Sequence, residues 1–267
     1  MKLRPYQQHS VDKLFEYFEE HEGKHPCIAL PTGAGKTLVI ADIIQRAKKE
    51  WPTVKIVVLS HVKEILQQDH SALTKYLHMP IGLWSSGLNS NSLEDVTVAG
   101  IQTVYDKAEF FDKFELVIID EAHLIPPSGE GMYQTFLKNI GPHVRVGLTA
   151  TPYRLGSGYI FGNDDTTMFD DIVVDYTYMD KFNELIDQGY LCNLRTFATK
   201  TELDTNGIRT TGGDFNDKDM SDKFDRDEIT REICKEIMRV GEQFKKWLIF
   251  AIDIKHAEHI TEILLQS

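Results

Sequence analysis

The most chemically loaded stretch of the sequence is Pro31-Thr32-Gly33-Ala34-Gly35-Lys36-Thr37. It stands between an apolar run of strand length, Cys27–Leu30, and a helical period over Thr37–Lys49. In that setting a glycine loop turns backbone N–H groups toward phosphate at the N-terminus of the following helix. Gly33 and Gly35 permit unusual φ values and close backbone approach, Lys36 would bridge two phosphates, and the Thr37 hydroxyl would ligate Mg2+. The strict pattern has Gly at position 30, where this chain has Leu30. The bland alternative is a tight glycine turn.

A second group of residues supplies acid–base chemistry. Leu116-Val117-Ile118-Ile119-Asp120-Glu121-Ala122-His123 reads as a buried strand that delivers two carboxylates at its C-terminal end, where ligands of open parallel sheets bind. Asp120 would hold Mg2+ through water and Glu121 would orient or deprotonate an attacking water. Taken alone, the pair could be a solvated turn; 84 residues after Lys36 it reads together with the glycine loop. A third strand ends in Gly147-Leu148-Thr149-Ala150-Thr151-Pro152. Its hydroxyls can hydrogen-bond the preceding carboxylate and His123 and so sense the nucleotide state, or they form an ordinary turn before proline. His256 and His259 stand at i, i+3 without a third local ligand, so zinc is not expected there.

The elements that must position these groups follow from periodicity. Val11, Leu14, Phe15 and Phe18 predict an amphipathic first helix. Strand-length apolar runs then alternate with helical periods: Cys27–Leu30, Lys55–Ser60, Val96–Ala99, Leu116–Ile119 and Val144–Leu148. This rhythm predicts an α/β fold with a mostly parallel sheet flanked by helices. Residues 152–171 read as loop, followed by a strand Ile172–Tyr178 and a helix Met179–Gln188 closed by Gly189. The first domain is expected to span 1–200. An acidic linker, 201–227, holds Asn206-Gly207, Gly212-Gly213 and a short helix capped by Asn216 and reaching Phe224. From 228 to 267 a helix, a strand Trp247–Ile252 and a helix Lys255–Leu265 read as the start of a second domain, cut short.

Composition bounds the function. With 42% hydrophobic and 26% charged residues the chain is globular. A net charge of −12 argues against a broad basic nucleic-acid-coating face, so any nucleic-acid contact is expected to be local. The excess is concentrated after residue 150, where 14 basic face 23 acidic side chains. Cys27, Cys192 and Cys234 form no CxxC and cannot all pair, so they read as buried thiols. With no membrane-length apolar run and no signal-type start, a cytoplasmic location is expected.

The order of these motifs resembles the superfamily-two helicases and translocases, specifically their DEAH-box members. Leu3-Arg4-Pro5-Tyr6-Gln7 matches the adenine-reading N-terminal motif, followed by the phosphate loop, Asp-Glu-Ala-His and Thr-Ala-Thr. The phrases Leu59-Ser60-His61-Val62-Lys63-Glu64, Thr149–Gly156 and Gln188-Gly189-Tyr190-Leu191 are similar to RadD-type bacterial DNA-repair helicases and related phage helicases. The resemblance implies a RecA-like P-loop NTPase lobe at 1–200 and the first part of a second such lobe at 228–267. It implies ATP as fuel, with Gln7 reading adenine beside Arg4 and Tyr6, though Gln7 also fits as a plain helix residue. It places Thr32, Gly33, Ala34, Gly35, Lys36 and Thr37 around the phosphates and Lys36, Asp120, Glu121 and His123 in the catalytic set. Ser60, His61, Lys63, Gly100, Gln102 and Thr103 fall in the motifs that touch one nucleic-acid strand, DNA rather than RNA; individually, His61 and Gln102 could equally be capping or exposed side chains. Thr149 and Thr151 would couple nucleotide state to lobe closure. The expected activity is ATP-driven movement on DNA in repair or recombination. The alternative is a nucleotide-gated DNA-binding module that does not turn over, because the later arginines of the second lobe are missing from the sequence. A small-molecule kinase would explain neither the Thr-Ala-Thr strand end nor the N-terminal motif.

Overall fold

The computed structural model describes residues 2–126, 131–154, 158–162, 167–194, 203–211 and 214–266. The chain divides into two compact units, Met1–Asn193 and Leu194–Ser267. In the first, α1 (Pro5–Glu20) precedes β1 (Pro26–Ala29), α2 (Lys36–Glu50), β2 (Ile56–Ser60), α3 (Lys63–Leu77), β3 (Gly82–Ser85), β4 (Ser90–Asn91) and β5 (Val96–Gly100). There follow α4 (Ile101–Val104), β6 (Leu116–Ile119), α5 (Met132–Asn139), β7 (Val144–Thr149), β8 (Tyr153–Arg154), β9 (Gly158–Tyr159), β10 (Asp171–Asp175) and α6 (Met179–Asp187). Eight strands form one sheet in the order β10-β1-β7-β6-β2-β5-β3-β4. Every ladder is parallel except β3 with β4.

The sheet is apolar on both faces because its residues alternate between two cores. Ile28, Ile56, Val58, Val98, Ile118, Val146 and Leu148 face a cluster built with α1, α2 and α3. Their neighbours Cys27, Val57, Leu59, Val117 and Ile119 face the other side, toward Phe111, Tyr133 and Phe136. All five residues of β2 and of β5 are buried, as are all four of β1 and of β6. The sheet is therefore a rigid plate, and its C-terminal edge is where the loops are free to carry chemistry. Among the described residues no helix is long and apolar enough to cross a membrane.

The second unit holds β11 (Thr210–Thr211), β12 (Asp214–Phe215), α7 (Asp217–Phe224), α8 (Asp227–Gly241) and α9 (Ile254–Leu265). The expected short helix forms as α7, and the Asn216 side chain accepts from the Asp219 N–H at 3.1 Å. The helix after residue 179 also forms, with Gly189 at φ +73° just past its end.

Three expectations are corrected. Residues 152–171 are not all loop: β8 and β9 pair as an antiparallel ladder, Tyr153 with Tyr159 and Arg154 with Gly158. Trp247–Ile252 has the composition of a strand but forms none. A strand exists through its ladder, and among the described residues no strand lies beside this run; Leu248 is 82% and Phe250 89% exposed. Cys27 and Cys234 are buried, but Cys192 is exposed, in the irregular stretch after α6. Leu155, Gly156, Gly212 and Gly213, parts of two sequence phrases above, lie outside the described residues.

Candidate active site

The phosphate-type loop is the link between β1 and α2. Gly33 and Gly35 take φ +83° and +79°, the left-handed region that glycine enters without penalty. Gly35 is the N-cap of α2, so Lys36 and Thr37 form its first turn and the free N–H groups of a 15-residue helix point into the loop. A side chain on Gly35 would stand 2.7 Å from the Gln7 amide nitrogen, so the glycine is also required for close approach.

That approach defines Gln7. It is 1% exposed, donates from Nε2 to the Ala34 carbonyl at 2.8 Å, and accepts at Oε1 from the Arg4 N–H at 2.9 Å. The Tyr6 hydroxyl donates to the same Ala34 carbonyl at 2.7 Å. Both residues thus brace the loop from beneath. Arg4 lies over the Tyr190 ring, 5.1 Å from its centroid.

β6 and β7, neighbours in the sheet, bring the acidic pair to the loop. The Leu30 N–H donates to the Thr149 carbonyl at 2.9 Å and the Asp120 N–H to the Leu59 carbonyl at 3.0 Å, so the strand ends are level. Lys36 Nζ lies 3.0 Å from Glu121 Oε1. Glu121 holds a left-handed backbone, φ 50° and ψ 48°, a strain a non-glycine residue keeps only where its surroundings dictate it. Asp120 is buried with Oδ1 unpartnered. Burial first, then the charge of Glu121, pushes its carboxyl up to about 6, against the pull of Lys36.

His123 Nδ1 lies 2.9 Å from Thr149 Oγ1 and 3.5 Å from Glu121 Oε2. Thr149 Oγ1 also accepts from the Thr151 N–H at 3.0 Å and lies 3.1 Å from the Thr151 carbonyl oxygen, so one hydroxyl joins His123 to the turn after β7. Burial holds His123 below the ordinary histidine value, against the pull of Glu121. Arg154 donates from Nε to the His123 carbonyl at 2.8 Å and so fixes the far side of the turn.

The structure brings the remaining candidates to the ends of β2 and β5, which pair in register at Ser60 and Gly100. Gln102 donates from Nε2 to the His61 carbonyl. Thr103 Oγ1 accepts from the Ser86 N–H at 3.1 Å. Lys63 opens α3, its stem over Gly87. Ser60 Oγ, His61 Nδ1 and the Tyr133 hydroxyl are buried without a partner, and the His61 and Tyr133 rings stack at 6.4 Å. His256 and His259 belong to the second unit, where His259 Nδ1 is 2.6 Å from Asp225 Oδ1 and His256 Nδ1 accepts from the Ile252 N–H.

Two participants escaped sequence reasoning. Asp69, on the buried stripe Leu66, Asp69, Leu73 of α3, accepts at Oδ1 from the Thr37 hydroxyl at 3.0 Å. Burial, then the charge of Asp120, pushes it up to about 7. Tyr133 of α5 feels the charge of Asp120 beyond its own burial. A carboxylate at a leucine-spaced position was the available signal for Asp69; Tyr133 reads as core and gives none. The Thr37 hydroxyl and the orphaned Asp120 carboxylate oxygen are hard oxygen donors of the kind Mg2+ takes.

The family model described as "Type III restriction enzyme, res subunit" matches residues 1–154. The chain is 24% identical to IRC3 of Saccharomyces cerevisiae over 98% of its own length and 38% of that protein. It is 33% identical to the DNA 3'-5' translocase XPB2 of Sulfurisphaera tokodaii, over 58% of this chain and 32% of that one. The chain thus spans about a third of the length of the curated relatives it matches. Among solved structures, the Type ISP restriction-modification enzyme LlaGI in complex with a DNA substrate mimic shares the fold. That match has TM-score 0.53 and 17% identity, covering 71% of this chain and 21% of that one.

Proposed function

The chain belongs to the type III restriction enzyme res-subunit family, with the RecA-like core of superfamily-two helicases, and on that premise we propose that it is the ATP-binding part of a DNA helicase or translocase motor. The observation that carries this reading is the junction of Lys36 with Glu121 at 3.0 Å, between a glycine loop and a strand end. ATP phosphates entering the loop would compete for Lys36 and free the Glu121 carboxylate to orient the attacking water. Thr37 and Asp120 would hold Mg2+, which supplies charge neutralisation at the phosphates. Gln7 spends one N–H of its amide on Ala34, so the second N–H is the one that would read the adenine edge.

The His123–Thr149–Thr151 chain is the element through which the γ-phosphate state reaches the rest of the motor. Ser60, His61, Lys63, Gly100, Gln102 and Thr103 form the strand-contacting edge, using amides and hydroxyls on phosphates, which an acidic chain tolerates. DNA is favoured because the matched XPB2 is a DNA translocase by name. Repair or recombination is the setting in which we place the DEAH-type motor. We take residues 1–200 as the first lobe, 201–227 as linker and 228–267 as the start of the second.

The test is ATP binding and hydrolysis with and without single-stranded DNA. Lys36→Ala is expected to abolish binding, and Glu121→Gln to keep binding while cutting turnover by about 100-fold or more. Absence of nucleotide binding in the unaltered chain, or binding indifferent to Lys36→Ala, would overturn the reading.

A further inference from the structure

Asp69 is a buried carboxylate at the nucleotide site for which the function above has no use. It is 1% exposed and stands on the core-facing stripe of α3 between Leu66 and Leu73. One oxygen accepts from the Thr37 hydroxyl at 3.0 Å; the other has no partner. The second buried carboxylate acting on it, Asp120, also has an orphaned oxygen. The nearby cation, Lys36, is engaged by Glu121. A leucine or asparagine would fill this stripe without placing an uncompensated charge in the core, so packing alone does not explain an aspartate here.

We propose that Asp69 is a positioning residue for the cation that accompanies the nucleotide. By accepting the Thr37 hydroxyl's hydrogen bond it would leave the oxygen lone pairs of Thr37 for the cation, and with Asp120 it would supply negative charge for the cation to neutralise. Metal-binding side chains are commonly held in this way by a hydrogen-bonded outer partner. The inference rests on the nucleotide-site reading.

A purely structural bond tying α2 to α3 predicts something different, and Asp69→Asn separates the two. Asparagine still accepts from Thr37 but carries no charge. The measurement is equilibrium binding of a fluorescent ATP analogue across a Mg2+ titration and in EDTA, with a thermal melt of each variant. For Asp69→Asn the Mg2+ concentration giving half the effect is expected to rise by about 10-fold or more, with larger loss in Asp69→Ala. Binding in EDTA is expected to stay within about twofold, and the cation-free melt of Asp69→Asn to remain a single cooperative transition, which shows that the variant is folded. An unchanged Mg2+ midpoint in Asp69→Asn overturns the inference, and does so even if Asp69→Ala fails to fold. If the unaltered chain binds no nucleotide with Mg2+ present, the nucleotide reading falls and this inference with it.

Discussion

His25 shows how a single residue records its surroundings. Its Nδ1 accepts from the Arg145 N–H at 3.3 Å, and burial, aided by the Arg145 charge, pulls its pKa down to about 4. The unfolded chain binds this proton near pH 6.5, so the unfolded state holds more protons between those values. The stabilisation is whole above about pH 6.5 and is lost as pH falls through about 4. His25→Asn keeps an acceptor for Arg145 but cannot titrate. Its melting temperature is expected to fall less than that of the parent between pH 7 and pH 4.5, and parallel profiles would contradict this. The loop of the candidate site was legible at this scale where backbone geometry dictates residue type, at Gly33 and Gly35. The site was not legible where a partner comes from another element. That Gln7 braces Ala34, or that Asp69 meets Thr37, follows from the packing of helices whose spacing in sequence is about 30 residues.

Elements were read best where both faces of a strand are buried. β6 matches its apolar run residue for residue, β2, β5 and β7 differ by a residue at one end, and β1 is shifted by one residue. β3 was missed because Gly82-Leu83-Trp84-Ser85 offers only two apolar residues, both half-buried, between a glycine and a serine, too little to announce a strand. The run at 247–252 errs the other way: apolar content proposes a strand, but only a neighbouring ladder makes one. Caps were legible because the capping atom lies within three residues of its donor. Asn216→Ala removes the acceptor for the Asp219 N–H and should cost α7 about 1 kcal/mol. This would appear as roughly fivefold faster amide exchange across α7; exchange unchanged there would show that the cap contributes nothing.

At the scale of the molecule the two units are unequally supported. The first has two extensive cores, one on each face of the sheet. The described core of the second is Cys234, Ile260 and Ile263, with Ile249, Ala251 and Leu264 beside them. Stability follows buried apolar area. Amides of α8 and α9 are therefore expected to exchange at lower free energy than those of β2 and β6, and equal protection would refute this. Within the first unit, α3 links two regions that the chain keeps apart. Lys63 is its first residue and Asp69 lies six further on, about 9 Å of unbroken helix. No glycine or proline interrupts Lys63–Leu77, so the segment has no joint at which to bend. Its first turn, which carries Lys63, and the Asp69 carboxylate that accepts from the Thr37 hydroxyl therefore belong to one stiff body.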